Sequence, residues 1–406
     1  MTALPLGWEL IRLEDLCEPG KQAIVDGPFG SNLKRSDYVE SGIPVLKIQN
    51  IKENLITLKK MDYVKPEKYE ELARHSYTEG DIVMTKLGDP LGVSAIVNGI
   101  PDGLIVADLV RIRPSKVLTK FLCYQLNSPR IQKYINEQQK GTTRPRVNLA
   151  MIRELPIYIP SLSKQHRIVE LLEDHLSRLD TALDDVKQAK IKAAQFRRSL
   201  LHSIFDGQVE EFGNKNEWDN FILSDVVQNL DNKRIPVNSK ERSTRQGSVP
   251  YYGATGQVGT IDLPIFNEDL LLLGEDGVQF FDPSKPKAYL ISGPAWVNNH
   301  VHVLKARDSI ANQKLLMHYL NQFNYVGYAN GTTRLKLTQG AMNLIPISLP
   351  NRRIQEKMLE YIELMLSIVD ASVISADYVA AQGLSLRRAL LQSAFTGQLT
   401  KEVAVV

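Results

Sequence analysis

The sequence predicts an α/β (α+β) protein with two small mixed-sheet domains separated by two long antiparallel coiled-coil helices, and with internal pseudo-two-fold symmetry. The first observation is a repeat: residues 141–209 align without gaps with residues 331–399, and 21 of the 69 positions are identical. The second is a series of β-type runs before each copy, and the third is heptad spacing within each copy. A 190-residue period is far too long for a solenoid unit, so the chain contains two copies of a domain and its helix.

Repeated positions mark where each half begins and ends. Both halves open with a tryptophan, Trp8 or Trp218, and the bodies between this residue and the repeat have 132 and 112 residues. The identical pairs include Arg144/Arg334, Pro156/Pro346, Pro160/Pro350, Gln165/Gln355, Asp180/Asp370, Arg197/Arg387 and Arg198/Arg388.

The two bodies have the pattern of small sheet domains. Runs such as 42–48 and 296–304 are rich in β-forming residues and are bounded by Gly, Pro or Asn. Short helical segments at 119–126 and 313–321 interrupt them. We therefore interpret each body as an α/β globule built on a mixed or antiparallel sheet.

The segments after the two Pro-x3-Pro motifs predict long helices. Residues 163–205 contain no Gly or Pro, and heptad-spaced apolar residues are typical of coiled coils. About 40 residues would extend ~60 Å at ~1.5 Å per residue. The alternative is that each helix packs only on its own domain. The apolar positions are Leu172, Leu179, Val186, Ala193, Leu200, Leu176, Leu183 and Ile204 in the first copy, and Ile362, Val369, Ala376, Gly383, Leu390, Leu366, Val373, Ala380 and Ala394 in the second.

This organisation predicts the domain limits. The first domain is expected at 1–160 and its helix at 161–208, the second domain at 209–350 and its helix at 351–400, with a tail at 401–406.

Composition narrows the class of protein. The apolar fraction of 43% and the charged fraction of 23% are those of a globular protein. A net charge of +3 gives no global cationic field, so nucleic-acid binding would depend on local patches. Cys17 and Cys123 form no CxxC motif, which argues against zinc and disulfides. Early charges exclude a signal peptide, and the aliphatic run 270–273 is too short for a membrane span. We expect a cytoplasmic protein.

The repeated motifs resemble one known family. Pro160 and Gln165, Pro350 and Gln355, the long helices, and the closing Leu-Leu-x-Ser-x-Phe-x-Gly-Gln are similar to the conserved regions of specificity (S) subunits of type I restriction–modification systems. The variable bodies look like target recognition domains, and 30–34, 42–45, 250–256, 273–277 and 298–304 are the segments that carry this likeness. The resemblance covers nearly the whole chain, twice and in the same order.

The resemblance implies a function and partners. An S subunit binds an asymmetric, bipartite sequence in double-stranded DNA and docks two methyltransferase (M) subunits, and two restriction (R) subunits join for cleavage. Two different globules held apart by a rod would read two short sequences with an unread spacer between them, much as dimer geometry sets the spacing of half-sites.

Candidate DNA-binding residues follow from the chemistry of readout. Base edges require side chains that donate or accept paired hydrogen bonds, and phosphate contacts fix the register on the duplex. In the first domain the candidates are Lys34, Arg35, Lys47, Gln49, Asn50, Lys86, Arg144 and Arg146. In the second they are Lys233, Arg234, Arg242, Arg245, Tyr252, Thr255, Asn298, Asn299, His300, Arg334 and Lys336. Arg144 and Arg334 stand out because both follow Gly-Thr-Thr.

Each candidate has a structural alternative. A single surface Lys or Arg is commonly a solvated charge, and Gly-Thr-Thr-Arg is equally compatible with a turn between globule and helix. His300 and His302 share a strand face, but no adjacent ligand completes a metal set, so we expect hydrogen-bonding histidines and no metal. The segment 275–277 (Glu-Asp-Gly) has the form of a turn.

Basic residues on the long helices also have two interpretations. Lys187, Lys190 and Lys192 would face spacer phosphates or form a solvated face of the coiled coil, and the solvated face is the default. Arg197 and Arg198, which the second copy retains, are expected at the junction with the globule or in partner docking.

Catalytic motifs are missing from the sequence. It contains no GxxxxGK[ST] phosphate loop, no Asn/Asp-Pro-Pro-aromatic tetrapeptide and no glycine-rich nucleotide fingerprint. We expect a non-catalytic recognition subunit, with S-adenosylmethionine, ATP and Mg²⁺ bound by the partner subunits and base flipping done there. The alternatives are a stand-alone methyltransferase or nuclease with an unrecognised active site, and a structural coiled-coil scaffold without DNA specificity.

Overall fold

The computed structural model describes residues 5–139, 145–332 and 334–400, and these form two compact units. Unit 1 combines the described residues of Met1–Asp185 and Tyr378–Val406, and unit 2 is Val186–Asp377. Each unit therefore contains one globular domain and a segment of both long helices.

Domain 1, in unit 1, is built from short strands and helices and continues into a long helix. Its strands are β1 (Glu9–Arg12), β2 (Ile24–Asp26), β3 (Tyr38–Val39), β4 (Ile43–Leu46), β5 (Ile51–Lys52), β6 (Leu55–Ile56), β7 (Asp62–Val64), β8 (Ser76–Tyr77), β9 (Ile82–Thr85), β10 (Ser94–Ile96), β11 (Gly103–Ile105), β12 (Leu109–Ile112) and β13 (Pro156–Ile159). Its helices are α1 (Pro66–Glu71), α2 (Thr119–Leu126), α3 (Pro129–Gln138) and α4 (Leu149–Arg153), followed by the long helix α5 (Leu162–Phe205).

Two sheets form the frame of domain 1. One is antiparallel with the order β10-β9-β12-β2, and the other has the order β3-β7-β4-β11-β8 with β4 and β11 parallel. All four residues of the central strands β9 and β12 are buried, because both faces of this sheet are covered and the strands read as continuous rather than alternating apolar runs.

Domain 2, in unit 2, has a similar set of elements. Its strands are β14 (Asp219–Ile222), β15 (Val227–Asn229), β16 (Val249–Gly253), β17 (Gly256–Ile261), β18 (Phe266–Asn267), β19 (Leu270–Gly274), β20 (Ala288–Ile291), β21 (Pro294–Val297), β22 (Val301–Ala306), β23 (Ala329–Asn330), β24 (Lys336–Leu337) and β25 (Pro346–Leu349). Its helices are α6 (Leu223–Val226), α7 (Ser239–Thr244), α8 (Gln313–Gln322) and α9 (Gln339–Asn343), followed by the long helix α10 (Arg352–Ala394).

The two main sheets of domain 2 repeat those of domain 1, except that the mixed sheet has four strands and no counterpart of β3. The antiparallel sheet has the order β15-β22-β19-β20, and the mixed sheet has the order β17-β16-β21-β18 with β16 and β21 parallel. In both domains the strand that follows the tryptophan pairs with the strand that leads into the long helix, β1 with β13 and β14 with β25. The predicted mixed-sheet fold is confirmed, and the repeat extends through the bodies whose sequences differ.

The long helices pack along their predicted apolar positions. Every heptad residue named above is buried or half-buried in its unit. In unit 1, Leu179 and Leu183 of α5 surround Gly383 of α10 so closely that a methyl group there would lie 2.6 Å from Leu183. Leu172 and Leu176 lie in one cluster with Leu391 and Ala394. Rising numbers on α5 match falling numbers on α10, so the helices are antiparallel.

Unit 2 shows the same direction of pairing. Lys190 of α5 binds Asp377 of α10 at 2.5 Å, and Arg197 binds Asp370. Leu200, Leu201 and Ile204 then join the cluster that contains Met358 and Ile362. Packing of each helix only on its own domain, the alternative interpretation, is wrong in both units.

Two ion pairs explain identical positions in the repeat. Arg387 of α10 binds Asp180 of α5 in unit 1, and Arg197 of α5 binds Asp370 of α10 in unit 2. Each pair joins the arginine of one copy to the aspartate of the other. The Arg197 guanidinium thus ties the two helices together, a role that the expectation of a globule junction or partner docking did not include. Arg197 and Arg198 also line a cleft with Pro283 of domain 2, which agrees with the expected junction.

A buried glutamine fixes the start of each long helix to its domain. Gln165 Oε1 accepts from Leu118 N at 2.9 Å, and its Nε2 donates to Pro160 O at 3.0 Å. Gln355 makes the equivalent bonds, accepting from Asn312 N at 2.9 Å and donating to Pro350 O at 2.8 Å. The Pro-x4-Gln motif is thus a joint between domain and helix.

One helix among the described residues, α10, is long and apolar enough to span a membrane by length and composition alone. Its inner face packs on α5 in each unit. We interpret its apolar character as that of a paired helix.

Candidate nucleic-acid interface

In domain 1, Lys86 and Arg146 belong to one short backbone ladder. Leu87 forms a β-bridge with Arg146, and Val147 N donates to Lys86 O at 3.0 Å. The ladder brings the segment before α4 against the end of β9. As a result, two candidates that lie 60 residues apart in sequence become neighbours.

Two adjacent clefts gather four of the eight domain 1 candidates. A cleft of about 900 Å³ is lined by Lys86, Arg146 and the exposed Phe29, and a second of about 500 Å³ is lined by Lys47 and Gln49. Asp108 lines both clefts, so one continuous face carries these cationic and amide groups.

Local ion pairs position the lysines of this face. Lys86 Nζ lies 2.5 Å from Asp26 Oδ2. Lys47 pairs with Asp62 and lies over the Tyr38 ring, 4.2 Å from its centroid. Burial raises the pKa of Tyr38, while the charge of Lys47 opposes that shift. The ring therefore stays neutral and offers its face to the cation.

The other domain 1 candidates occupy different environments. Asn50 is fully buried, where its amide accepts from Lys47 N at 2.9 Å and donates to Thr57 O at 2.9 Å. It holds its loop together and has no surface for DNA in this conformation. Lys34 and Arg35 are exposed at a turn, and Arg144 lies outside the described residues.

Domain 2 contains the same short backbone ladder, but the residues that follow its strand β19 are acidic. Asp276 bridges Lys336, and Leu337 N donates to Glu275 O at 2.7 Å, which makes Glu275 the counterpart of Lys86. The Glu275 carboxylate binds Arg234 at 2.8 Å and Lys336 at 3.1 Å.

The neighbouring carboxylate, Asp276, binds two further candidates. Arg334 lies 2.5 Å from Asp276, and His300 Nδ1 lies 2.9 Å from the same Oδ1 atom. Four predicted DNA-binding residues of domain 2 thus converge on two adjacent carboxylates. The turn interpretation of residues 275–277 missed this role.

Beneath this cluster lies a buried histidine. His302 is fully buried, with Nδ1 2.7 Å from Asp231 Oδ2 and Nε2 2.9 Å from Leu337 O. Burial alone would raise the pKa of Asp231, but the hydrogen bonds from His302 and Val303 N and the charge of Arg234 lower it overall. Glu275 behaves alike: burial opposes the shift, and the bonds from Arg234 and Lys336 lower its pKa.

Two arginines of domain 2 stack on aromatic rings. Arg242 lies over Tyr251 at 4.8 Å, and Arg245 lies over Trp296 at 4.4 Å from the ring centroid. Arg245 also binds Asp262 through two nitrogens, and this hydrogen bonding lowers the pKa of Asp262. Arg245 is therefore committed to holding α7 on the sheet.

The remaining candidates of domain 2 surround the hairpin of β16 and β17. Thr255 is exposed at its turn, and Tyr252 is half-buried, 6.1 Å from the Tyr289 ring. Asn298 is buried and accepts from His300 N at 2.9 Å. Asn299 and Lys233 are exposed.

Sequence reasoning also missed residues that shape these surfaces. Phe29, Asp26 and Asp108 in domain 1, and Asp231 and Asp276 in domain 2, were not candidates. The acidic residues could have been anticipated from the net charge of +3. Because the total charge is close to neutral, clusters of Lys and Arg must have carboxylates near them. Nothing in the sequence indicated that Phe29 is exposed, because the exposure of a single aromatic side chain depends on the tertiary structure.

Metal binding has no support among the residues that the structure describes. No group of three or more His, Cys, Asp or Glu in those residues has a metal-binding arrangement. His300 and His302 are occupied by carboxylates and a carbonyl, so their interpretation as hydrogen-bonding histidines is confirmed.

Two similar small domains, each with clustered charged and amide side chains on its loops and each joined to a pair of antiparallel helices, have the form of a recognition scaffold. Residues 5–193 and 215–370 match the family described as the type I restriction modification DNA specificity domain. The match covers most of the chain, and the protein belongs to this family of specificity subunits.

Curated relatives and solved structures agree with this assignment. A Haemophilus influenzae protein assigned as a type I restriction enzyme specificity subunit is 30% identical over 38% of this chain and 39% of its own length. The Escherichia coli EcoBI specificity subunit is 24% identical over 43% of this chain and 37% of its own. The aligned parts thus span about two fifths of these relatives.

The fold is shared over nearly the full length. A chain from a structure of complex assembly and conformational transition in the type I R-M system has a TM-score of 0.76 at 17% identity, covering 98% of this chain and 100% of that one. The HsdS subunit of Thermoanaerobacter tengcongensis has a TM-score of 0.59 at 17% identity, covering 97% and 98%. At this identity the likeness concerns the fold alone.

Proposed function

We propose that this chain binds an asymmetric, bipartite site in double-stranded DNA, with domain 1 reading one half and domain 2 the other. The observation that carries the proposal is the repetition of one frame with different loops. The same ladder position holds Lys86 in domain 1 and Glu275 in domain 2. Two surfaces of different charge pattern on one frame suit two different base sequences.

The test is to co-express the full chain with its methyltransferase partner in a host and to map modified adenines across the genome. The expected result is one asymmetric motif with two specified parts and an unspecified spacer. A symmetric motif, or modification without sequence preference, would contradict the proposal. Methylation by the purified chain alone would instead favour the enzyme alternative.

Within this proposal the paired helices set the length of the spacer. Removing one heptad from each, residues 181–187 and 371–377, leaves both apolar stripes in register. It also leaves the Asp180–Arg387 and Asp370–Arg197 ion pairs intact. The deletion shortens each helix by about 10 Å at ~1.5 Å per residue.

The expected outcome is a spacer two to three base pairs shorter, at ~3.4 Å per base pair, with both specified parts unchanged. Deleting residues 181–187 alone is the matched control, because α10 is then one heptad longer than α5, so the Asp180–Arg387 and Arg197–Asp370 ion pairs cannot both form and recognition should be lost. A double-deletion protein that still modifies sites with the original spacer would refute the ruler.

Partner docking is the second part of the proposal. The outer face of α10 exposes Leu364, Ile368 and Ile374, whereas the repeat-equivalent positions on α5 are Asp174, Arg178 and Asp184. An exposed apolar stripe marks a protein contact. We assign it to an M subunit; R subunits join the complex, and S-adenosylmethionine, ATP and Mg²⁺ bind in these partners, all within the cytoplasm.

Co-purification with the M subunit tests this assignment. Replacing Leu364, Ile368 and Ile374 with Glu should reduce the recovered M subunit without changing the melting temperature. The matched control replaces Asp174, Arg178 and Asp184 with Ala. Equal recovery from both variants would rule out the α10 face as the main docking surface.

A further inference from the structure

Each domain presents one exposed apolar side chain at the same place in its frame. Phe29 is 73% exposed and Ile235 is 52% exposed. Phe29 follows Asp26 at the end of β2 by three residues, and Ile235 follows Asp231, just beyond β15, by four. Both acidic residues bind a cation of the ladder region, Lys86 for Asp26 and Arg234 for Asp231.

The backbone that presents Phe29 is tightly held. Gly27 N donates to Leu109 O at 3.2 Å, and Asn32 N donates to Phe29 O at 2.8 Å. A methyl group on Gly27 would lie only 2.1 Å from the Val106 carbonyl carbon. The loop is therefore fixed against the sheet, and little conformational entropy is lost when the exposed ring meets a ligand.

The backbone at Ile235 is also held in place, by a different set of hydrogen bonds. Trp296 Nε1 donates to Ile235 O at 3.2 Å, while the preceding Arg234 binds Glu275 and Val301 O at 2.8 and 2.7 Å. Both apolar side chains thus project from rigid loops rather than from mobile ones.

Each apolar residue has a cation near it. Phe29 lines the cleft that contains Lys86 and Arg146 together with three carboxylates, and the exposed Lys233 lies two residues before Ile235 in the sequence. A single apolar group among charged residues is too small for a protein-docking patch. It matches a DNA base step, where phosphates flank a stack of apolar base faces, and phenylalanine and isoleucine are among the residues that wedge into such steps.

We propose that Phe29 and Ile235 are specificity-determining wedges, each of which inserts against one base step of the half-site that its domain reads. The inference rests on the proposed DNA recognition and adds a mechanism to it. A wedge favours steps that unstack readily, such as pyrimidine–purine steps. Part of the sequence preference would therefore come from DNA deformability at a step whose base edges have no contact.

The test uses the full chain and a randomised duplex library, so no target needs to be known beforehand. Wild type, Phe29→Ala and Ile235→Ala are each used to select sequences, and their affinities for the wild-type consensus duplex are measured at several salt concentrations. Leu10→Ala, at an exposed position on β1, is the matched control. Melting temperatures check that each variant is folded.

Each wedge variant should bind the wild-type consensus about ten-fold more weakly, which is within the range that alanine substitution gives for an aromatic side chain stacked on a base. The slope of affinity against salt should not change, since no phosphate contact is removed. The preference at one step should disappear from the affected half-site only. With 2-aminopurine at that step, the rise in fluorescence seen with wild type should be lost.

The outcomes separate the two levels of the proposal. If wild type selects no bipartite consensus, the proposed recognition itself fails. If wild type selects one and both wedge variants retain its affinity, its consensus and its 2-aminopurine signal, the wedges are overturned while recognition stands. A change in salt slope with an unchanged consensus would likewise overturn the wedge.

Discussion

Domains 1 and 2 place opposite charges at one equivalent point of the same frame. Where β9 ends, Lys86 binds Asp26, and where β19 ends, Glu275 binds Arg234. Strand order, the parallel pair and the ladder are otherwise alike. Both domains therefore have an ion pair at this place, but the residue after the strand is the cation in domain 1 and the anion in domain 2. The charge that this residue presents near the loops differs between the domains for that reason.

The consequence is a difference in which cations remain free. In domain 1, Arg146 makes no ion pair among the described residues, whereas in domain 2 Arg334 and Lys336 are held by Asp276 and Glu275. Domain 1 thus offers Arg146 as an open cation in a cleft whose other charged residues are Lys86, Asp26, Asp108 and Glu154, and domain 2 must exchange internal ion pairs for phosphate contacts.

The largest expected effect comes from exchanging the body of domain 1 for that of another family member. Replacing residues 8–141 with the corresponding body of another family member should change one specified half of the DNA site and leave the other unchanged. The reason is that domain 1 has apolar clusters of its own, as an independent domain should. Genome-wide mapping of modified adenines measures the result, and a change in both halves would show joint reading.

A charge exchange tests the role of the domain 1 ion pair. Lys86→Glu should lower the free energy of unfolding by about 2 kcal/mol, because it leaves Asp26 facing a like charge. Adding Asp26→Lys should restore most of that stability. Denaturant unfolding measures stability, and titration with DNA measures binding. Restored stability without restored binding would identify Lys86 as a DNA contact, and recovery of both would show that it only pairs with Asp26.

The buried cluster of domain 2 should make its stability sensitive to acid. The pKa of Asp231 is lowered in the folded state, so its contribution is present above about pH 4 and is lost as pH falls through the folded pKa. Asp231→Asn should cost about 3 kcal/mol at pH 7, as for a broken buried ion pair. The gap from wild type should narrow below pH 4. Asp262→Asn, in an exposed pair, serves as the control with the smaller change.

Salt dependence of binding sharpens the contrast between open and occupied cations. Arg146→Ala and Arg334→Ala should each reduce the salt slope by about 0.9 if each arginine contacts one phosphate. Asp276→Asn should strengthen DNA binding a few-fold, because it releases Arg334. Unchanged slopes in both arginine variants would remove these residues from the interface.

The smallest expected effect concerns the helices, where the two halves are alike. A double-mutant cycle on Asp180 and Arg387 should give a coupling of about 0.2–1 kcal/mol, as for other exposed pairs. The cycle on Asp370 and Arg197 should give a similar value. Strongly unequal couplings would mean that the two units do not hold their helices in the same way.

Local sequence patterns predicted the repeated frame well. Heptad spacing located the buried positions of α5 and α10, because such a stripe repeats within a few turns of one helix. The joint made by Pro-x4-Gln was not predicted, since Gln165 accepts from Leu118 N and Gln355 from Asn312 N, both distant along the chain. The fold class followed from the same patterns. The equivalence of the two mixed sheets did not, since their sequences share little and strand order is decided by contacts distant along the chain.

The candidate site was predicted less completely for the same reason. Arg234 and Glu275 are 41 residues apart, and Arg334 and Asp276 are 58 apart. A list of basic residues cannot show which of them a distant carboxylate neutralises, or that Asn50 turns inward. Exposure of Phe29 likewise depends on how Gly27 packs against the neighbouring strand.

The reciprocal ion pairs between α5 and α10 carry a consequence for how this chain can change over generations. Each aspartate pairs with the arginine of the other copy. A substitution that removes one partner can therefore be compensated only by a second substitution in the other half of the gene. Sequence changes in the two helix segments are therefore coupled to each other, whereas the loops of each domain can change in sequence without a matching change in the helices.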